Sequence, residues 1–145
     1  MNYRSLSLSV PVFCTVLAFA GTCMADTLNI KAALSGASEV PATTSAGVGT
    51  VEGTFDTQTS VLNWKLSYSG LSGPAKAGHF HGPADPGKNA GVALGFTGSV
   101  ESPITGTATL TAAQAQDLLA GKWYANLHTA ANPGCEIRGQ VTAAP

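Results

Sequence analysis

The sequence predicts an all-β domain, an antiparallel and Greek-key-like β-sandwich or barrel of about eight strands with one short helix. Short runs of alternating apolar and polar residues recur along the chain, which is the pattern of strands with one buried face. Segments rich in Gly, Pro, Ser and Thr separate these runs and supply turn residues. Only one segment has the capping residues of a helix. Together these observations point to an antiparallel architecture.

Three strands are expected in the first half of the chain. Their predicted core residues are Leu28, Ile30, Ala32 and Leu34 in the first, Val51, Gly53 and Phe55 in the second, and Leu62, Trp64, Leu66 and Tyr68 in the third. The third run alternates most regularly and is therefore the clearest strand. Residues 35–47 read as a long loop because they are rich in small residues and contain Pro41.

The second half is expected to hold the remaining strands and the helix. The predicted strand segments are residues 77–81, the short run 92–96, residues 104–110, residues 123–128 and residues 136–142. The predicted loops between them include 82–91 and 129–134, both with Pro and Gly. A helix is expected over residues 112–120, capped by Thr111 and Gln114 and ended by Gly121, with Leu118 and Leu119 packed onto the sheet edge.

The histidines are the residues that indicate chemistry. Side chains alternate between the two faces of a strand, so His79 and His81 point to one side and Phe80 to the other. Two imidazoles at this spacing make half of a metal site. The only other histidine, His128, shares a strand face with Tyr124 and Asn126.

The last strand repeats this arrangement. Ile137 and Val141 are expected to face the core, while Glu136, Arg138 and Gln140 face away from it. All three histidines and this polar triplet are therefore expected on the outward faces of their strands.

The first 25 residues have the pattern of an export signal. Arg4 is their only charged side chain, residues 10–20 are mostly apolar, and the small Ala25 ends the segment. We expect residues 1–25 to be a cleaved signal peptide and residues 26–145 to be a single exported domain, periplasmic or secreted, without a membrane span. The alternative is an uncleaved membrane anchor, since the uncharged run is long enough to cross a bilayer.

The mature chain is slightly acidic. Without Arg4 it has six basic and eight acidic residues, a net charge of −2, and no basic patch, so nucleic acid is not an expected partner. Only Cys135 of the three cysteines remains after cleavage, so the mature chain cannot form an internal disulfide. Cys135 is either a buried small hydrophobe or an exposed thiol, and the neighbouring Pro and Gly favour partial exposure.

Eight short motifs are spread over the mature chain. They are LSGASEVP at 34–41, YSGL at 68–71, HFHGP at 79–83, ITG at 104–106, LLAG at 118–121, NLHT at 126–129, NPG at 132–134 and EIRGQ at 136–140. In combination they resemble the CHRD domain, the module named after chordin and common in exported bacterial proteins. The resemblance implies an extracytoplasmic β-sandwich, but it carries little settled biochemistry.

His79, His81, His128 and Arg138 also resemble residues of copper-zinc superoxide dismutase. That resemblance implies that the first two are paired copper ligands, that His128 is the late ligand and that Arg138 attracts superoxide. The sequence departs from the family because it has no histidine between His81 and His128 to bridge copper and zinc. The zinc ligands and the disulfide are missing as well, so only a single-metal site is implied.

Two functional hypotheses follow. In the first, His79, His81 and His128 bind one copper ion, with zinc as the other metal that imidazoles suit, and the protein acts on superoxide or another small anion. Arg138 is then either a catalytic residue that attracts the anion or a structural strut bonded to Glu136 or to the carbonyls of the loop before Arg138. The proposed neighbours of the ligands are Glu136, Asn126 and Tyr124.

In the second hypothesis the domain is a non-catalytic module. Its loops, residues 35–47 and 82–91, would recognise an extracellular protein or a glycan. The positions of the three imidazoles distinguish the two hypotheses, because a shared metal requires their ring nitrogens to converge to within about 4 Å of one another.

Overall fold

The computed structural model describes residues 26–145, so the expected signal peptide lies outside the described residues. Within this part of the chain there are nine strands and one α-helix, together with a single 3-10 turn at Gly36–Ser38. The strands are β1 (Thr27–Ser35), β2 (Val48–Asp56), β3 (Val61–Ser69), β4 (Ala75–His81), β5 (Val92–Gly95), β6 (Ile104–Thr109), β7 (Tyr124–Thr129), β8 (Ile137–Gln140) and β9 (Thr142–Ala144), and the helix is α1 (Ala112–Leu119). None of the described helices has the length and hydropathy needed to cross a membrane.

The strands form one antiparallel sheet that curls into a half-barrel. Their order is β5-β4-β7-β8-β1-β2-β3-β6, and β9 pairs with β1 next to β8. The curl brings β3 and β4 across the core from each other although they are not neighbours in the sheet. Trp64 shows this, because its ring centroid lies 5.5 Å from that of Phe80 and 5.8 Å from that of Phe96. The predicted all-β architecture is confirmed.

The core lies on the inner side of this curl and contains most of the residues that the alternation selected, but Leu28 is only partly buried and Tyr68 is partly buried against the core. Ile30, Leu62 and Phe80 are fully buried, and Trp64 is 7% exposed. Gly106 of β6 lies against the Trp64 indole, since a Cβ atom at this position would be 2.1 Å from Trp64 Cζ2. A larger residue at position 106 would therefore displace the indole from the core.

The helix forms where the sequence predicts it. The Thr111 side chain accepts from the Gln114 backbone N–H and the Gln114 side chain accepts from the Thr111 backbone N–H, which is a capping box. Gly121 follows the helix at a φ of 68°, a left-handed conformation that favours glycine. The prediction for Leu119 is wrong: Leu118 is fully buried, but Leu119 is 45% exposed because the next residue of a helix points about 100° away.

The last predicted strand is divided in two. The backbone N–H of Val141 donates to the carbonyl of Trp123 rather than to β1, and this separates β8 from β9. β9 then pairs with the first half of β1, whereas β8 meets β1 only at Ser35 and Arg138. The described chain therefore has nine strands rather than about eight.

The three adjacent strands β4, β7 and β8 carry the predicted functional residues on their outward face. The register pairs His81 with Tyr124, His79 with Asn126, and Asn126 in turn with Arg138. Loops cover this face, which is why Arg138 is only 2% exposed although it points away from the core. The fold thus collects the polar residues of three separate sequence segments under one cover.

Candidate metal centre

The three histidines meet on the outward face of β4 and β7. His128 is opposite Ala77 in the register, so it is the diagonal neighbour of His79. His79 Nδ1 and His128 Nε2 are 3.2 Å apart. One ring nitrogen from each of His79, His81 and His128 lies within 4.8 Å of the other two. The structure therefore brings together the residues that the strand pattern placed on one face; that they bind a metal stays a prediction.

Backbone carbonyls orient two of the three rings. His81 Nδ1 is 3.0 Å from the Ala90 carbonyl oxygen and His128 Nδ1 is 2.9 Å from that of Pro133. A carbonyl can only accept, so both Nδ1 atoms carry the proton and both Nε2 atoms keep a free lone pair. Metal-binding histidines are oriented in this way, by an acceptor at the nitrogen that does not ligate.

The His79–His128 pair has the spacing that a shared metal ion requires, whereas the three nitrogens together lie within 4.8 Å rather than about 4 Å. Tetrahedral ligation with bonds of about 2.0 Å places neighbouring nitrogens about 3.3 Å apart, close to the observed 3.2 Å of the His79–His128 pair. His81 Nε2 is buried and has no hydrogen-bond partner among the described residues. Burial lowers the pKa of His79 and of His81, and the neighbouring imidazoles lower both further, which keeps these two rings neutral near pH 7. A neutral nitrogen without a partner, such as His81 Nε2, is what a metal requires, whereas His79 Nδ1 and His128 Nε2 hydrogen-bond to each other.

Tyr124 separates the histidines from Arg138. Its ring stacks on His81 with the centroids 4.9 Å apart and the planes 5° from parallel. The Arg138 guanidinium carbon lies 3.4 Å from the Tyr124 centroid, and β4 and β8 flank β7 on opposite sides. The positive charge is thus next to the site but behind an aromatic ring.

Arg138 also holds the loop after β4. Its guanidinium donates to the Asn89 side-chain oxygen at 3.0 Å and to the Lys88 carbonyl at 2.7 Å. Of the two interpretations of Arg138, this geometry favours the structural strut. Its partners differ from the expected ones, because Arg138 holds the loop after β4 and forms no bond to Glu136 in the described structure.

Asn126 and Cys135 lie beside the imidazoles. The Asn126 side-chain amide donates to Cys135 Sγ, which is 4.0 Å from His128 Nε2. Burial and the nearby Glu39 carboxylate raise the pKa of the Cys135 thiol to about 12, so the thiol is protonated at neutral pH. Cys135 is partly exposed, as the neighbouring Pro and Gly led us to expect.

Glu136 does not contact the histidines. Its fully buried carboxylate accepts from Ser72 N at 2.6 Å, from Ser72 Oγ at 2.6 Å, from Ser45 Oγ at 2.7 Å and from Asn132 Nδ2 at 3.1 Å, and also from Thr129 Oγ1. Two roles were open for Glu136 from the sequence, an acceptor that orients a ligand imidazole and a salt-bridge partner; the structure instead places its carboxylate where it connects three loops. Burial alone would raise its pKa, but these hydrogen bonds outweigh burial and hold the pKa at about 2.

We expect this carboxylate to control the acid stability of the fold. Its pKa is lowered from 4.5 to about 2, so its contribution is complete above about pH 4.5 and is lost as the pH falls towards 2. The loss amounts to about 3 kcal/mol, because each pKa unit corresponds to roughly 1.4 kcal/mol. Urea unfolding at pH 7 and pH 3 measures about 2 kcal/mol of this loss, because the Glu136 carboxylate is still mostly ionised in the folded protein at pH 3.

Glu136→Gln is the matched variant for this prediction. It should be less stable than the wild type at pH 7 by about 2 kcal/mol, since charged hydrogen bonds become neutral ones. Its stability should change less between pH 7 and pH 3. Glu52→Gln, at an exposed position of β2, serves as the control. A Glu136→Gln protein that loses as much stability in acid as the wild type would contradict the assignment.

A cavity of about 470 Å³ opens beside the histidines. Its walls come from the loop after β1, the loop after β4 and the loop after β7, and its floor includes His81, Tyr124 and Asn126. Glu39, a residue that we did not select from the sequence, lines it and is 7% exposed. Burial raises the pKa of Glu39, although Cys135 and Arg138 nearby oppose the rise. In the sequence, the only indication of Glu39 was that it is the single acidic residue in the motif of residues 34–41.

The comparisons with known proteins agree with the motifs. No curated protein and no solved structure matches the chain significantly, so the resemblance to copper-zinc superoxide dismutase has no support from them. The CHRD domain matches residues 30–141, which include every strand from β2 to β8 and the three histidines. The chain therefore belongs to the CHRD domain family.

Proposed function

We propose that this protein is an exported CHRD module that binds a single metal ion, copper in preference to zinc, through His79, His81 and His128. CHRD domains occur in extracellular or exported proteins. The observation that carries the proposal is the convergence of three imidazoles, with His79 Nδ1 and His128 Nε2 3.2 Å apart and His81 Nε2 buried without a partner among residues 26–145.

The choice of copper rests on the donor set. Imidazole nitrogens suit both copper and zinc, but copper(II) leads zinc in intrinsic affinity for such sites. Three protein ligands leave a fourth position open, which is the arrangement of reactive rather than purely structural metal sites. Copper bound there would supply one-electron redox chemistry.

The neighbouring residues would keep the ligands in place. The Ala90 and Pro133 carbonyls fix the His81 and His128 rings by accepting from their Nδ1 atoms. The Tyr124 hydroxyl accepts from the Ala90 backbone N–H at 3.1 Å. Tyr124 therefore stacks on His81 and also holds Ala90, whose carbonyl orients the His81 ring. These contacts hold the His81 and His128 rings in place without a metal.

Superoxide dismutation stays a prediction of the resemblance and is not part of this proposal. It requires a positive charge that an incoming anion can reach. Arg138 is 2% exposed, and its guanidinium is engaged by Lys88 and Asn89 behind the Tyr124 ring. This geometry supports metal binding better than it supports attraction of an anion by Arg138.

Metal analysis of the protein purified from its exported fraction tests the proposal, followed by copper titration of metal-free protein. We expect one copper per chain. If the protein neither contains nor binds copper or zinc, the non-catalytic module that recognises a protein or a glycan through its loops takes the place of this proposal.

Copper affinity should depend on pH in a defined direction. Imidazole must be neutral to ligate, and its unperturbed pKa is about 6.5. Because the pKa values of His79 and His81 are lowered, protons compete with copper at these two ligands only below the ordinary imidazole range. Affinity should therefore fall as the pH drops below about pH 6. Titration in the presence of a competing chelator measures it, and an affinity that rises in acid would contradict histidine ligation.

A further inference from the structure

The cavity beside the histidines, formed by the loops after β1, β4 and β7, has the size and the lining of a ligand site. Its volume of about 470 Å³ is within the range of small-molecule pockets. Apolar side chains of Val40, Pro41, Ala131 and Pro133 form part of the wall. Such a lining suits a ligand with an apolar body, provided that the polar atoms of the wall have partners on it.

Those polar atoms are acceptors. Glu39 Oε1 and Asn126 Oδ1 belong to residues that are 7% and 0% exposed, and neither atom has a hydrogen-bond partner among the described residues. The Asn126 side-chain amide is fixed by its donation to Cys135, which leaves the oxygen free. Buried acceptors without donors are costly, and a ligand that brings N–H groups removes the cost.

The charge of the cavity wall also favours a ligand that donates hydrogen bonds. Of the described residues that line the cavity, Glu39 is the one with a carboxylate, and no lysine or arginine is among them. An anionic ligand would meet the Glu39 charge, while the nearby Arg138 guanidinium does not line the cavity and is already bonded to Lys88 and Asn89. A protonated amine would form a charge-assisted hydrogen bond with Glu39 and a second hydrogen bond with Asn126.

We propose that this cavity binds a small organic amine, in its protonated form, with the ammonium group held by Glu39 and Asn126. His81 lines the same cavity, so the amine lies next to the metal of the proposed function. Only this last statement rests on the proposed function. Binding of the amine to Glu39 does not require a metal, so the two proposals can fail separately.

Benzylammonium and benzoate are the matched probes, since they share an apolar ring and differ in the sign of the charge. We expect benzylammonium, added to metal-free protein with isotope-labelled nitrogen, to shift the NMR signals of the Asn126 side-chain amide and of the Glu39 and Cys135 backbone amides. Benzoate should leave them unchanged. Equal shifts with benzoate would overturn the proposal, and so would benzylammonium shifts confined to other parts of the sheet.

Glu39→Gln keeps the shape of the side chain and removes its charge. We expect it to weaken benzylammonium binding at least tenfold, because the charge-assisted bond becomes a neutral one. Glu52→Gln on the exposed face of β2 should bind as the wild type does. Unchanged affinity in Glu39→Gln would overturn the proposal; if this variant does not fold, the comparison of the two probes on the wild type decides the question. Failure of copper to bind would leave these results unaffected.

Discussion

Replacing His79, His81 and His128 together by alanine is expected to abolish specific copper binding. The three rings contribute all the metal-accessible imidazole nitrogens that converge in the described chain. Alanine leaves no imidazole at any of these positions, and the remaining neighbours, the Asn126 amide and the single Cys135 thiol, do not make up a three-ligand site. This is the largest effect that we predict.

The single variant His81→Ala should remove most of the affinity. It leaves only the His79–His128 pair and removes the one ligand nitrogen that is buried without a partner in residues 26–145. We expect a loss of more than about 100-fold, since even an orienting neighbour of a ligand contributes 10–100-fold. Arg138→Ala is the matched control at the other side of Tyr124, and it should leave copper affinity nearly intact.

Competition with a coloured copper chelator measures these affinities. Circular dichroism shows whether each variant is folded, which matters most for Arg138→Ala because Arg138 holds the loop after β4. Equal copper affinity of the wild type and the triple variant would end the metal hypothesis. The protein would then be regarded as a binding module.

Trp64→Ala is expected to destabilise the fold by about 3–5 kcal/mol, the range for a large aromatic removed from a core. Trp64 packs edge-on against Phe80 across the curl of the sheet and also contacts Phe96 and Gly106. Its indole Nε1 has no hydrogen-bond partner among the described residues, so the loss is one of packing alone. The cavity left behind would lie between β3 and β4, where neither strand can move without breaking its own pairing.

Urea denaturation measures this free energy of unfolding. Leu119→Ala is the matched control, since Leu119 is a large apolar residue that is 45% exposed and should contribute less than about 1 kcal/mol. A Trp64→Ala protein as stable as Leu119→Ala would mean that the two halves of the curled sheet do not pack on each other through Trp64.

The sequence predicted those features that depend on local periodicity. Alternation placed Trp64 and Phe80 inside and the three histidines outside, and the cap residues placed the helix. The convergence of His128 with His79 was expected under only one of the two hypotheses, so the strand pattern by itself did not decide it. The inside and outside predictions needed only the direction of a side chain from its own strand.

Features that depend on loop paths could not be predicted. Nothing local in the sequence shows that Glu136 would bond to Ser45, Ser72 and Asn132, because these partners are brought to it by loops up to 91 residues away in sequence. The same holds for Arg138 and the loop at Lys88, and for the burial of Glu39. A charged residue on an outward face looks exposed until the loop that covers it is known.

Glu136, directly before β8, and Arg138, within β8, hold different loops around the cavity. Glu136 fastens the loops at Ser45, Ser72 and Asn132, and Arg138 fastens the opposite loop at Lys88 and Asn89. Loops on both sides of the cavity are therefore held by one short segment, residues 136–138. Widening the entrance requires breaking the hydrogen bonds of Glu136 or Arg138, or a shift of β8 in the sheet.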